Sequence, residues 1–177
     1  MLNLKIEAVD VKAFMGALLM SDKFDFLEVR GVDVTTFSHF NISGQKIIRP
    51  KTDQDDKKEE SRKEEDAKIS DAEVKAKAEH CKWSEIKPFV HNIIKGGEKP
   101  GHIKIVFSME PEEVLKLHQN GAAMYLNVLY NGEEVFFTSA TAQKGFSLDK
   151  SLDHVWEDYL VGFFKANGIN AREIEPE

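Results

Sequence analysis

Asn131-Gly132 stands between two stretches that alternate apolar with polar residues, "AAMYLNVLY" and "EEVFFTSATA". Asn-Gly suits a two-residue hairpin turn because both turn positions need φ > 0. Taken as that loop, it sets Val128 against Val135 and Leu126 against Phe137, both pairs on one face. An antiparallel hairpin with one face to bury is therefore expected. "HIKIVFSM" (102–109) supplies a neighbouring strand, with Ile103, Ile105, Phe107 and Met109 alternating with His102, Lys104, Val106 and Ser108. Pro111 opens a short helix in "EPEEVLKLHQN" (110–120), and Gly121 stops it.

The first third carries the same order of elements. "LKIEA" (4–8) reads as a strand, and Asp10 caps a helix whose Val11, Phe14, Met15, Leu18 and Leu19 recur at helical spacing. "FDFLEVR" (24–30) and "VDVTTFSHFNI" (32–42) read as two strands, with turns at Gly31 and Gly44. Both parts are thus β-α-β-β, the element order of an internal duplication and similar to the building unit of DNA sliding clamps. The expected fold class is α+β: antiparallel sheet with packed helices, over one domain spanning 1–177.

Between the two parts the composition changes. Of the eighteen residues 51–68, fourteen are charged, six basic and eight acidic, and none builds an apolar face. Residues 50–80 are expected to be a charged insertion, either a solvated helix or a disordered segment. After it, Pro88 argues against a helix through 84–95. Phe89–Ile94 is read as a strand and "GGEKPG" (96–101) as its turn.

"SLDHVWEDYLVGFFKANGI" (151–169) is the densest segment. As a helix from about Lys150 to Asn167, it puts Leu152, Val155, Trp156, Tyr159, Leu160 and Phe163 on one stripe and Asp153, His154, Glu157, Asp158 and Lys165 opposite. Asp149 is placed as its N-cap and Gly168 as its stop. Six large side chains, at roughly 1.5–3 kcal/mol each when buried, outweigh cap and dipole effects of about 1 kcal/mol or less. Trp156 and Tyr159 are therefore read as core.

Net charge is −7 and pI about 5.4, which argues against nucleic acid as partner. No apolar stretch is long enough to span a membrane. With one cysteine, Cys81, no intramolecular disulfide can form. The start lacks the pattern of a secretory leader, so a cytoplasmic, reducing location is expected.

Candidate chemistry is sparse. No glycine-rich phosphate motif and no GxSxG appears. Trp83, Lys87, His91 and Lys95 follow the charged run and are a candidate binding groove, although Trp83 reads first as a plug at one end of the sheet. No metal site and no cofactor are expected. His154 and Asp158, spaced i,i+4, are the nearest approach to a ligand pair, and a zinc site needs three or four. The six histidines, at 39, 80, 91, 102, 118 and 154, share no spacing.

"WSEIKPFVHNIIKG … P … IKIVFS", "FSLDKSLDHVWEDYLVGFFKANGI" and "VTTFSHFNISG" together resemble the DUF5721 family, a domain of unknown function known from Clostridia-type bacteria. The resemblance covers residues 1–49 and about 82–169. It implies a bacterial cytosolic protein and supplies no catalytic residues to carry over. The leading expectation is a non-catalytic domain that binds a protein partner or forms a homo-oligomer. The alternatives are a sliding-clamp-like, nucleic-acid-associated protein and a metal-dependent or acid–base enzyme using the His154/Asp158 face.

Overall fold

The computed structural model describes residues 1–7, 9–47 and 79–175. All of the expected charged insertion except residues 79 and 80 therefore lies outside the described residues. The elements are β1 (Asn3–Ile6), α1 (Val11–Met20), β2 (Glu28–Thr35), β3 (His39–Ser43), α2 (Trp83–Lys95), β4 (His102–Ser108), α3 (Pro111–Leu117), β5 (Gly121–Tyr130), β6 (Val135–Gln143), α4 (Ser151–Ala166) and β7 (Arg172–Glu173).

The strands form one seven-stranded antiparallel sheet in the order β3-β2-β4-β5-β6-β1-β7. Its alternation decides which face is buried. Val32, Ile105, Val128, Phe137 and Leu4 join one hydrophobic core. The next residues along, Asp33, Lys104, Asn127, Thr138 and Lys5, stand on the opposite face, and none is fully buried. Helices close the core: Phe14 of α1 meets Phe137 edge-on at 5.2 Å, Trp83 of α2 meets Phe107 at 5.3 Å, and Phe164 of α4 meets Phe137 at 4.9 Å. The α+β expectation is met, with four helices among the described residues. Both halves run β-α-β-β but join the sheet differently. β4 lies beside β5, whereas β1 lies beside β6 and away from β2.

Several local expectations are corrected. Phe89–Ile94 is helical, inside α2, despite Pro88. An interior proline costs about 3 kcal/mol. Against this, Trp83 and Val90 are fully buried and Ile86, Ile93 and Ile94 partly so, each worth up to roughly 1.5–3 kcal/mol. Pro88 itself points to solvent, so its ring displaces nothing in the core.

Gly31 does not divide two strands. β2 runs through it, and the turn falls at residues 36–38, where the Thr36 N–H donates to the Ser38 carbonyl at 2.9 Å. The hairpin after β5 has a four-residue loop, Asn131 to Glu134, and pairs Tyr130 with Val135 and Val128 with Phe137. Asn131 Oδ1 accepts the Glu133 and Glu134 N–H groups at 3.0 and 2.9 Å, which extends the turn. The shift is two residues, so every side chain keeps its expected face.

In α4 the buried line is Leu152, Trp156, Leu160 and Phe164. Val155, Tyr159 and Phe163 are partly buried. The N-cap position is Lys150, and Asp149 sits one residue earlier, accepting the Ser151 N–H and hydroxyl at 2.9 and 2.8 Å. At the far end Gly168 has φ +67°, the Gly168 N–H reaches Lys165 O and the Ile169 N–H reaches Phe164 O, a Schellman close. Asp10 precedes α1 as expected, but its carboxylate accepts from Asn170 Nδ2 at 3.1 Å and makes no side-chain cap bond.

Candidate functional site

Trp83, Lys87, His91 and Lys95 recur every fourth residue along α2. Trp83 is fully buried and its indole N–H donates to Leu18 O at 2.8 Å. Lys87 Nζ donates to Ser21 O at 2.9 Å and pairs with Asp25 Oδ1 at 2.6 Å, pinning the turn before β2. His91 is half-buried and Lys95 is exposed. None of the four lines either cleft described below.

His154 and Asp158 lie on the exposed face of α4. The His154 side chain is 72% exposed, and its Nδ1 is 3.9 Å from Glu157 Oε2, which also receives the Met1 amino group at 3.0 Å through Oε1. Asp153 accepts a hydrogen bond from the Thr141 hydroxyl. Among the described residues no group of three or more His, Cys, Asp or Glu side chains could hold a metal ion.

Instead, the polar groups converge on the start of β2. There the pairing with β4 slips between Val29 and Gly31, leaving Arg30 as an extra, bulged residue. Residues 79–82 are wedged alongside. Cys81 O accepts the Val29 N–H at 2.8 Å, the Cys81 N–H donates to Gly44 O at 2.7 Å, and the Trp83 N–H donates to Leu27 O at 2.9 Å. The Arg30 guanidinium is spread over three partners: Nε donates to Ser108 Oγ at 2.9 Å, Nη1 lies 3.3 Å from His80 Nε2, and the group stacks 5.6 Å from the Tyr125 ring centroid. Burial, and then the charge of Arg30, hold His80 below its usual range. The neutral ring's Nε2 can then accept from Nη1.

Glu28 lies beside this cluster, only 4% exposed. Its carboxyl makes no hydrogen bond to another described residue. Burial pushes its pKa up, partly offset by Arg30. The nearby charges Glu110 and Lys82 lead outward to a cleft of about 220 Å³ lined by Phe26, Lys82, Met109, Glu110, Glu113 and Tyr159.

This cleft has an aromatic floor. Tyr159 stacks on Trp156 at 5.4 Å and Phe163 at 6.5 Å, and Phe26 meets Phe163 edge-on at 5.6 Å. Its rim is charged, with Lys82 Nζ 3.6 Å from Glu110 Oε2 and Lys116 Nζ 2.5 Å from Glu113 Oε1. Burial and the Glu113 charge raise the Tyr159 phenol, which donates to no other described residue. Ring faces beside carboxylates attract a cation, and the apolar floor takes up the carbon that comes with it.

A second cleft of about 170 Å³, lined by Ile6, Phe14, Lys23 and Asn167 among others, has its polar groups paired internally. Lys23 Nζ donates to Asn167 O at 2.9 Å there. Sequence reasoning missed the first cleft because residues 26, 82, 109–113 and 159 share no local spacing. No local pattern in the sequence marks it, and Glu28 borders the cleft without lining it.

No curated protein and no solved structure matches the chain. A family model described as "Family of unknown function (DUF5721)" matches residues 17–171, bridging the charged insertion that the sequence resemblance left out. On a match of that extent, the chain belongs to the DUF5721 family.

Proposed function

We propose that the protein is a non-catalytic recognition domain that takes an aromatic side chain flanked by cations, from a protein segment, into the cleft between Phe26, Met109 and Tyr159. The observation that carries this reading is the pairing of a stacked aromatic floor with the Glu110 and Glu113 carboxylates at its rim. Aromatic contacts supply most of the attraction in such pockets, and rim charges select the sign of what docks.

Calorimetric titration of the Phe146→Ser variant, which lacks the chain's own exposed loop phenylalanine, with two short peptides tests the reading, one with phenylalanine between lysines and one with phenylalanine between glutamates. The lysine peptide is expected to bind, and Glu110→Lys with Glu113→Lys to weaken it by roughly tenfold or more. Equal binding of both peptides, or none of either, would overturn it.

A further inference from the structure

The loop between β6 and α4 presents two large apolar side chains to solvent, Phe146 at 96% and Leu148 at 86% exposure. Its ends are fixed. The Lys144 N–H donates to Asn120 O at 3.0 Å, Gln143 Nε2 donates to Asp149 O at 3.1 Å, and His118 Nε2 lies 2.8 Å from Ser151 Oγ. Lys144 and Lys150 flank the apolar pair, exposed and without an ion pair among the described residues. Asp149 is occupied by Ser151. A held loop that offers a phenylalanine between two lysines has the chemistry the cleft selects.

The two features lie at opposite ends of α3. Met109, Glu110 and Glu113 stand at its start, while His118 and Asn120 tie the loop to its end. Seven helical residues span about 10 Å, and Leu115 is exposed between them. A loop and a matching cleft held at the two ends of one short helix fit an isologous twofold pairing, in which each copy gives its loop to the other's cleft.

We infer that the occupant of the cleft is a second copy of this chain. Phe146 enters the cleft of the partner copy over Tyr159 and Phe26, Lys144 and Lys150 meet Glu110 and Glu113, and the two α3 helices face each other at the axis. The inference rests on the recognition reading above and names its partner. The rim is mixed, since Lys82 and Lys116 also stand there, so both carboxylates exchange an internal lysine for an incoming one.

Sedimentation equilibrium of the full chain tests this with two charge-reversed variants: Lys144→Glu with Lys150→Glu in the loop, and Glu110→Lys with Glu113→Lys in the cleft. The wild type is expected to dimerise, each variant alone to associate at least roughly tenfold more weakly, and an equimolar mixture of the two to recover a heterodimer. Phe146→Ser, at a position that packs against nothing, is expected to give a folded monomer.

A wild-type dimer that both reversals leave intact would overturn the inference by placing the contact elsewhere. A monomeric wild type that still binds the lysine-flanked peptide would overturn it while leaving the recognition reading in place. A monomer that ignores the peptide would overturn both.

Discussion

Gly44 and Val29 approach so closely that a Cβ on Gly44 would stand 1.6 Å from the Val29 carbonyl oxygen. The close approach lets residues 79–82 bond to both neighbours, through Cys81 to Val29 and to Gly44. Gly44→Ala is expected to destabilise the fold by at least the ~1–3 kcal/mol typical of overpacking, because the obstacle is backbone. Chemical denaturation measures it, and a loss under 0.5 kcal/mol, the ordinary surface range, would show that the close approach is not maintained in solution.

His80 gives the fold an acid sensitivity. The groups acting on it are Arg30, which lowers its affinity for a proton, and Glu79, which raises it, with burial the largest influence. A histidine held below 6.5 in the folded state is charged more readily when unfolded. Its contribution is therefore present above pH 6.5 and is lost as pH falls towards the depressed folded value. Stability should fall on acidification through that window, and His80→Gln should flatten the slope. An unchanged slope in the variant would assign the acid sensitivity to other groups.

Glu28 works in the opposite direction. Its folded pKa is raised above the usual 4.5 by burial, so its contribution is present below the unfolded value and is lost as pH rises through the folded one. Glu28→Gln should therefore gain stability relative to the wild type between acid and neutral pH. A constant difference between the two proteins across that range would mean the carboxyl is solvated.

Trp83 combines full burial with a hydrogen bond to Leu18 O at 2.8 Å. Trp83→Phe removes that donor, leaves the carbonyl unpaired and opens a small cavity, an expected loss of about 2–4 kcal/mol. Thermal unfolding should register it, and a wild-type melting temperature would mean that the site collapses around the smaller ring.

Much of the architecture was legible because period and turn chemistry agree. The alternation from Ile103 to Phe107 holds, and α4 forms with the expected period, although Phe164 joins Leu152, Trp156 and Leu160 in its buried line while Val155, Tyr159 and Phe163 are only partly buried. Legibility failed where a local rule met a larger tertiary effect. Pro88 spoke for a break, yet Trp83, Ile86, Val90, Ile93 and Ile94 carry a helical spacing whose burial outweighs one missing hydrogen bond. Asn131-Gly132 fixed the turn but not its length, because the Asn131 side chain recruits two further residues. The cleft was invisible in sequence: Phe26, Lys82, Met109 and Tyr159 meet only after the sheet has formed.

The central claim is that the cleft between Phe26 and Tyr159 is where another protein segment docks. Amide resonance mapping of the ¹⁵N-labelled Phe146→Ser variant, titrated with the lysine-flanked phenylalanine peptide, tests it most directly. Shifts confined to Phe26, Lys82, Met109, Glu110, Glu113 and Tyr159 are the predicted result. Shifts elsewhere, for example along Trp83 to Lys95 or around His154, or no shifts at all, would contradict it.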